Sequence, residues 1–310
     1  PGSIMIRAAM QSMNAETLKE IERKNLSLDV FENFSKDGVE TYSDVMLGLP
    51  LETTDSYVDG ILSLVDSNID EFSMPQTLLL KGTPMESEEY LKKHDIRTLF
   101  RVIPECIGHY GDRKTQVLEF ESMVTQTSTM DFQGYLAARK FALAVMIFHN
   151  TRLLSNIYRF LDHKGVKRSL LLKAVFDAAI SSPIFSQLFD KFLNLIRLEL
   201  LDEPNIDNVM EFEELTSNKV YKFLSLALTE YRSEILNLVK RALETKNLFL
   251  KKTQIAFFNE MLHDLLYSEF AASNEVVRRK ITPTVAKGLG SDFYECFTSE
   301  FQKERLLYLN

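Results

Sequence analysis

The stretch "YSDVMLGLPLET", residues 42–53, decides how this chain is read. It sets a polar residue, Asp44, on a strand, places Gly48 where the strand stops, and turns at Pro50 into an acidic helix start. Thr53, Thr54 or Asp55 can cap that helix, whose Tyr57, Val58, Ile61, Leu62, Leu64 and Val65 mark a buried face. The stretch is either part of a ligand site or an ordinary strand-to-helix turn.

Upstream, residues 5–13 are short and mostly apolar, and Asn14 offers a cap to a helix opening Ala15-Glu16-Thr17-Leu18. Leu18, Ile21, Val30, Phe31 and Phe34 keep helical spacing, interrupted around Asn25 to Ser27, so one helix or a broken pair is expected. Downstream, "DEFSMPQTLLL" (70–80) reads as a third strand. Strand, helix, strand, helix, strand within about 75 residues is the pattern of parallel βαβ units, whose crossover helices pack on a sheet. Chemistry on such sheets gathers at the carboxyl ends of the strands. Gln11-Ser12, Leu47-Gly48 and Met74 to Leu78 are therefore expected on one rim.

Beyond Gly82-Thr83-Pro84 the pattern changes: 86–95 and 116–125 are mixed in period and are joined by a Gly/Pro-rich link, "VIPECIGHYGD" (102–112). From about residue 131 apolar residues repeat at three and four over 133–163, 168–201 (broken near Ser182-Pro183), 214–250, 253–272 and 291–309. No internal repeat or low-complexity tract is present. The expected boundary lies between residues 112 and 131, giving an α/β segment 4–112 and a mainly helical domain 113–310. Pro1-Gly2-Ser3 read as a cloning remnant, and strand-like residues begin at once after them, so an excised piece of a longer protein is expected.

With 45% apolar residues the chain can bury a sizeable core. Its 36 basic and 44 acidic residues leave a net charge of -8, and no dense basic patch occurs beyond Arg278-Arg279-Lys280, so nucleic acid is not an expected partner. The two cysteines, Cys106 and Cys296, form no CxxC pair, which suits a reducing, cytoplasmic compartment. The longest apolar run, Phe141 to Phe148, is far short of the roughly 20 residues of a membrane span.

No two of the five histidines (94, 109, 149, 163, 263) are spaced to share a helix face, so they read as solvated or structural before they read as metal ligands. His109, in the Gly-rich link, is the exception worth following. "KGLGSDF" carries Gly288 and Gly290 without a preceding strand, which favours a helix-breaking loop over a phosphate cradle. The acidic runs "ESEEY" and "EFEEL" suit helix starts. No GxSxG, HExxH or P-loop pattern occurs. Phe189, Phe192, Tyr221, Phe223, Phe249, Phe257 and Phe258 are core faces first and pocket walls second.

Taken together, "QSMNAETLKEIERKN" (11–25), "YSDVMLGLPLET" (42–53) and "FSMPQTLLLKGTPM" (72–85) resemble the fourth, fifth and sixth strand segments of radical S-adenosylmethionine (radical SAM) enzymes. "RTLFRVIPECIGHYGD" (97–112) and "TQTSTMDFQGYLAARKFAL" (125–143) are similar to the region after the barrel in the subgroup with a cobalamin-binding-type domain ahead of the radical domain. The resemblance ends near residue 165. It implies an α/β plus α fold: the second half of a partial (β/α)6 barrel, about three parallel strands, followed by a helical domain. In that superfamily three cysteines hold a 4Fe-4S cluster that reduces S-adenosylmethionine, and the resulting 5'-deoxyadenosyl radical takes a hydrogen atom from substrate.

Carried over residue by residue, the resemblance implies that Gln11 and Arg23 bind methionyl or ribose polar groups of the cofactor and that Asp44 binds the ribose. Gly48, Pro50 and Glu52 match the fifth-strand turn, where Gly48 would let backbone approach a ligand closely, and Met74 to Thr77, including Gln76, flank adenine. Each has a plainer reading: Asp44 as a structural pair, Arg23 as a surface residue, Gln11 bonded to neighbouring backbone. Leu51 stands where a glycine is common. The CxxxCxxC loop of the family does not occur in the chain, and two distant cysteines do not replace it, so no catalytic or metal-ligating residue is assigned. S-adenosylmethionine and the 4Fe-4S cluster are thus expected of the parent protein, with cobalamin left open, and the piece itself is expected to be inactive on an unknown small-molecule substrate. A non-catalytic helical module, docking a partner through an amphipathic face such as 214–250, is the competing reading. Exposed edges of a three-stranded remnant would favour self-association.

Overall fold

The computed structural model describes residues 6–7, 9–28, 39–110, 115–204 and 217–268, and for 104–110 and 115–118 the backbone alone. Three short parallel strands open the fold in the expected order: β1 (Ile6–Arg7), β2 (Thr41–Asp44) and β3 (Glu71–Ser73), with β2 central. Ile6 stands beside Thr41, and Tyr42, Ser43 and Asp44 beside Glu71, Phe72 and Ser73. Helix α1 (Ala15–Glu20) begins where Asn14 accepts hydrogen bonds from the amides of Glu16 and Thr17. Helix α2 (Thr54–Asp66) is capped by Thr53, whose side chain accepts from Ser56 N–H while Ser56 reaches back to the Thr53 amide. Tyr57, Ile61, Leu64 and Val65 are buried on its inner face; Val58 and Leu62, expected there as well, are only half-buried at its margin.

The "mixed-period" region is a long antiparallel hairpin, β4 (Arg97–Tyr110) and β5 (Thr115–Gln126), preceded by the short helix α3 (Glu88–Lys93). This corrects the reading of 102–112 as a link. Pro104, Gly108 and a shift of register between Val102 and Ile107 break the two-residue alternation that would have advertised a strand. The hairpin pairs with the parallel sheet. Leu79 N–H donates to Ser122 C=O at 2.8 Å and Val124 N–H to Thr77 C=O at 2.9 Å, so the chain leaving β3 has β2 on one side and β5 on the other. On the far side, Phe100 and Leu201 exchange backbone bonds of 2.8 and 2.7 Å, which covers part of the outer edge of β4. The edge expected to be free beyond β3 is thereby occupied by the chain itself.

The remaining described elements are helical: α4 (Phe132–Val145), α5 (Ser155–His163), α6 (Arg168–Ser181), α7 (Pro183–Glu199), α8 (Lys219–Glu230), α9 (Arg232–Leu243) and α10 (Lys252–Ser268). The break near Ser182-Pro183 falls as expected, because Ser182 caps α7 through Phe185 N–H and proline suits a first helical position. The span 133–163 is broken, which the periodicity did not indicate. A π turn over Met146–Asn150 ends α4, and Arg152, at φ 60°, closes it by donating its backbone N–H to His149 C=O. The segment 291–309, Cys296 and "KGLGSDF" lie outside the described residues.

The chain divides into two compact units, Pro1–Met146 with Leu188–Ser225 and Ile147–Gln187 with Leu226–Asn310. The first buries Leu47, Ile61, Leu64, Val65, Phe72, Met123 and Phe141 around the sheet. The second is a helical core in which Phe160 meets Phe258 at 5.6 Å and Phe148 meets Phe185 at 5.7 Å. Among the described residues no single helix is long and apolar enough to cross a membrane.

If the hairpin is integral to the sheet, the amides of Leu79 and Val124 will exchange hydrogen as slowly as those of Val45 and Leu47. Fast exchange at Leu79 and Val124 beside slow exchange in β2 would show the hairpin to be a separable appendage.

Candidate functional site

Past their last regular residue, β1, β2 and β3 continue as single bridges that align the expected rim. Gln11 pairs with Val45, donating to Asp44 C=O (2.9 Å) and accepting from Met46 N–H (2.8 Å), and Leu47 pairs with Gln76 between bonds to Pro75 C=O (2.9 Å) and Thr77 N–H (2.8 Å). Gln11 holds φ 61°, a left-handed backbone that costs an ordinary residue about 1–2 kcal/mol. No described residue hydrogen-bonds its side-chain amide.

Asp44 is buried, with its side chain 6% exposed, and one carboxylate oxygen accepts both Nε and a terminal nitrogen of Arg7 at 2.7 Å. Arg7 in turn lies over the Tyr42 ring at 5.5 Å. Arg7 escaped the sequence reading because β1 offered only two residues of pattern. Gly48 has φ 91°, and a Cβ there would meet Val124 O at 3.0 Å. What approaches this glycine is strand β5 of the same chain, where the resemblance implied a ligand. Leu51 takes up the left-handed conformation, φ 64°, at the position where the family's glycine is common, so the turn persists without it.

Glu52 is 1% exposed and its carboxylate accepts hydrogen bonds from both Ser12 Oγ and Ser56 Oγ. Its backbone C=O accepts from Thr129 Oγ1 at 2.8 Å. Burial pushes the Glu52 carboxyl above its ordinary value, and the two hydroxyl donors pull it partly back. Glu52 therefore acts as a clasp between the end of the first strand segment and the start of α2.

Gln76 carries its side-chain oxygen between Arg101 (3.2 Å) and the Tyr135 hydroxyl (3.3 Å). Arg101 also pairs with Glu121 and lies 4.0 Å from Glu199, which bonds Lys219 at 3.3 Å. Met74 is half-buried between Ser73 and Pro75, whose carbonyls accept from the Val45 and Leu47 amides. Arg23 is exposed just past α1, where its amide bonds Leu18 C=O, and its side chain pairs with none of the other six. The rim thus brings together Gln11, Asp44, Gly48, Glu52, Met74 and Gln76, and leaves Arg23 outside their bonding.

Ser43 Oγ, Thr77 Oγ1 and the Tyr57 hydroxyl are buried at or beside this rim without a hydrogen-bond partner. Among the described residues no three His, Cys, Asp or Glu side chains gather as a metal site. His94 is structural, 2% exposed and 2.9 Å from Glu20; the side chain of His109 lies outside the described residues.

A parallel β-α-β-α-β array with polar groups on one strand-end rim makes this part of the chain an α/β fold. The chain is similar to the cobalamin-dependent radical SAM methyltransferase TokK of Streptomyces tokunonensis, with 30% identity over 159 residues. It is also similar to the 2-(S-pantetheinyl)-carbapenam-3-carboxylate methyltransferase of Streptantibioticus cattleyicolor, with 30% identity over 160 residues. Each match covers 49% of this chain, and the chain spans 23% of the length of these curated relatives. No family model matches the chain.

Gly48→Ala will lower stability by about 2–3 kcal/mol in chemical denaturation, because the added methyl meets a backbone oxygen and sits at positive φ. Glu52 titrates above its ordinary 4.5 in the fold. The native state therefore binds more protons than the unfolded state from about pH 4.5 up to the raised value, and stability falls as pH rises through that window. Glu52→Gln will remove this slope; an unchanged pH profile would show that Glu52 ionises normally in the fold.

Proposed function

We propose that the chain is part of a radical SAM enzyme of the cobalamin-dependent methyltransferase kind, lying downstream of the cluster loop and forming one side of the S-adenosylmethionine site. The observation that carries this reading is the parallel register that sets Gln11 against Val45 and Leu47 against Gln76, together with 30% identity to two such methyltransferases. In this reading residues 4–112 are barrel, β5 returns from the following segment to seal it, and the rest of 113–310 is a mainly helical domain.

The residues fit S-adenosylmethionine in part. The Gln11 amide is available, Asp44 presents a carboxylate already held in place by Arg7, and Ser43 and Thr77 offer unused hydroxyls. They do not fit the 4Fe-4S cluster, since two cysteines cannot supply three thiolates, and no residue is assigned to cobalamin. When bound in the whole enzyme, cluster and S-adenosylmethionine would supply the radical that starts the reaction. This chain's own contribution is to orient: Asp44 accepts from ribose hydroxyls, Gln11 bonds the methionyl or ribose end, and the backbone around Met74 and Gln76 flanks adenine. The chain alone is inactive and binds S-adenosylmethionine weakly.

The test is a protein extended upstream in its gene through the CxxxCxxC loop, reconstituted anaerobically with iron, sulfide and S-adenosylmethionine and assayed for 5'-deoxyadenosine. Product is expected, and Asp44→Asn should weaken S-adenosylmethionine binding about tenfold, the equivalent of about 1.4 kcal/mol for one charged hydrogen bond. An upstream sequence without three such cysteines would end the proposal.

A further inference from the structure

Helix α4 places a single cation on its apolar face. Arg139 lies one turn beyond Tyr135, is 4% exposed, and stands in a helix whose Leu136, Ala138, Ala142 and Leu143 are all buried. Its guanidinium carbon is 5.6 Å from the centre of the Phe192 ring. Its Nε is shut off from solvent and donates to nothing, and no carboxylate among the described residues pairs with it. The Tyr57 hydroxyl, from α2, is in the same condition, 1% exposed and without a partner. Lys219 and Arg101 in the same unit make the contrast: Lys219 meets Glu199 and Arg101 meets Glu121. Helices α2 and α4 pack together so closely that a Cβ at Gly134 would lie 2.5 Å from Thr54 Oγ1, which sets the buried Tyr57 and the buried Arg139 in the seam between them; the positive charge of Arg139 works against the rise that burial imposes on the Tyr57 phenol.

A buried ion without a counter-ion is among the costliest features a fold can carry, and a ring face at Phe192 offsets only a small part of it. A lysine could escape by losing its proton; an arginine cannot. The cost is met when an anion arrives. We propose that Arg139 and Tyr57 form a binding site for the carboxylate of a small molecule. The planar guanidinium fork matches two carboxylate oxygens, and the Tyr57 hydroxyl supplies a further donor. The charge selects the ligand class. One buried cation balances one negative charge, so a carboxylate is neutralised there and a phosphate dianion would keep one charge uncompensated. Tyr135 donates to Gln76, which ties the site to the strand-end rim. The site stands on the burial and pairing of these side chains alone, so it does not depend on the enzyme class proposed above.

The experiment is thermal melting of the 310-residue chain with sodium acetate, sodium phosphate or sodium chloride at matched ionic strength and pH. Acetate should raise the melting temperature saturably, half-maximal on the order of millimolar for so small a ligand, and chloride and phosphate should not. Arg139→Met, which keeps the volume and removes the charge, should lose the acetate response and melt above the parent in plain buffer. Tyr57→Phe should keep the fold and weaken the response severalfold. An Arg139→Met variant that melts lower, with a parent indifferent to acetate, would show a purely structural arginine and overturn the site. A phosphate response equal to that of acetate would overturn the carboxylate assignment, and an acetate response that survives Arg139→Met would show adventitious binding. Should Arg139→Met fail to fold, the Arg139 Nε–H resonance of the parent decides: a shift on adding acetate supports the site, and a stationary resonance overturns it.

Discussion

The handover of the sheet at Thr77 is the constraint on which the rest of the first unit depends. Its amide donates to Leu47 C=O, continuing the parallel ladder, and its carbonyl accepts from Val124 N–H, opening the antiparallel one. Main-chain groups buried at such a junction must be paired on both sides. The close approach of β5 that results is possible only because Gly48, lying beneath Val124, has no side chain. From this junction follow the sealed edge beyond β3, the burial of Met123 and Val124, and the inward position of the strand ends.

The polar groups gathered there fall into two sets. Asp44, Glu52 and Gln76 are satisfied within the chain by Arg7, by Ser12 and Ser56, and by Arg101 and Tyr135. These bonds hold separate elements in register. Buried polar networks of this kind add little net stability over an apolar core but penalise every alternative packing in which one member loses its partner. Gln11, Ser43, Thr77, Tyr57 and Arg139 are the other set, with side-chain hydrogen-bonding capacity that the described chain does not use. A buried group of this kind takes its partner from ordered water, an ion or a ligand.

Much of the local structure was legible. Asn14 and Thr53 announce helix starts because a side-chain oxygen can reach amides two or three residues on, and Ser182-Pro183 announces a break because proline has no N–H to donate. The hairpin was not legible, since its strands slip register and β4 carries Pro104 and Gly108 where alternation should be clearest. Arg139 was legible in principle: a cation one turn from Tyr135 on an otherwise apolar helix face contradicts the pattern around it. Of the seven residues the resemblance singles out, the fold gathers Gln11, Asp44, Gly48, Glu52, Met74 and Gln76 at the strand ends and leaves Arg23 apart, and which of them are already engaged is not written in the resemblance.

By itself the sequence determined the order of the three parallel strands and of helices α1 and α2 between them, the caps that start those helices and the polar residues at the strand ends, because these depend on contacts a few residues apart. The tertiary structure alone decided that Gly48 makes room for strand β5, that Arg7 holds Asp44, that Gln76 serves Arg101 and Tyr135, and that Arg139 is left without a counter-charge. Each of these joins residues that lie far apart in the chain or turns on the whole surroundings of one side chain. Neither is visible in periodicity, since whether a buried charge is paired depends on what the folded chain brings beside it.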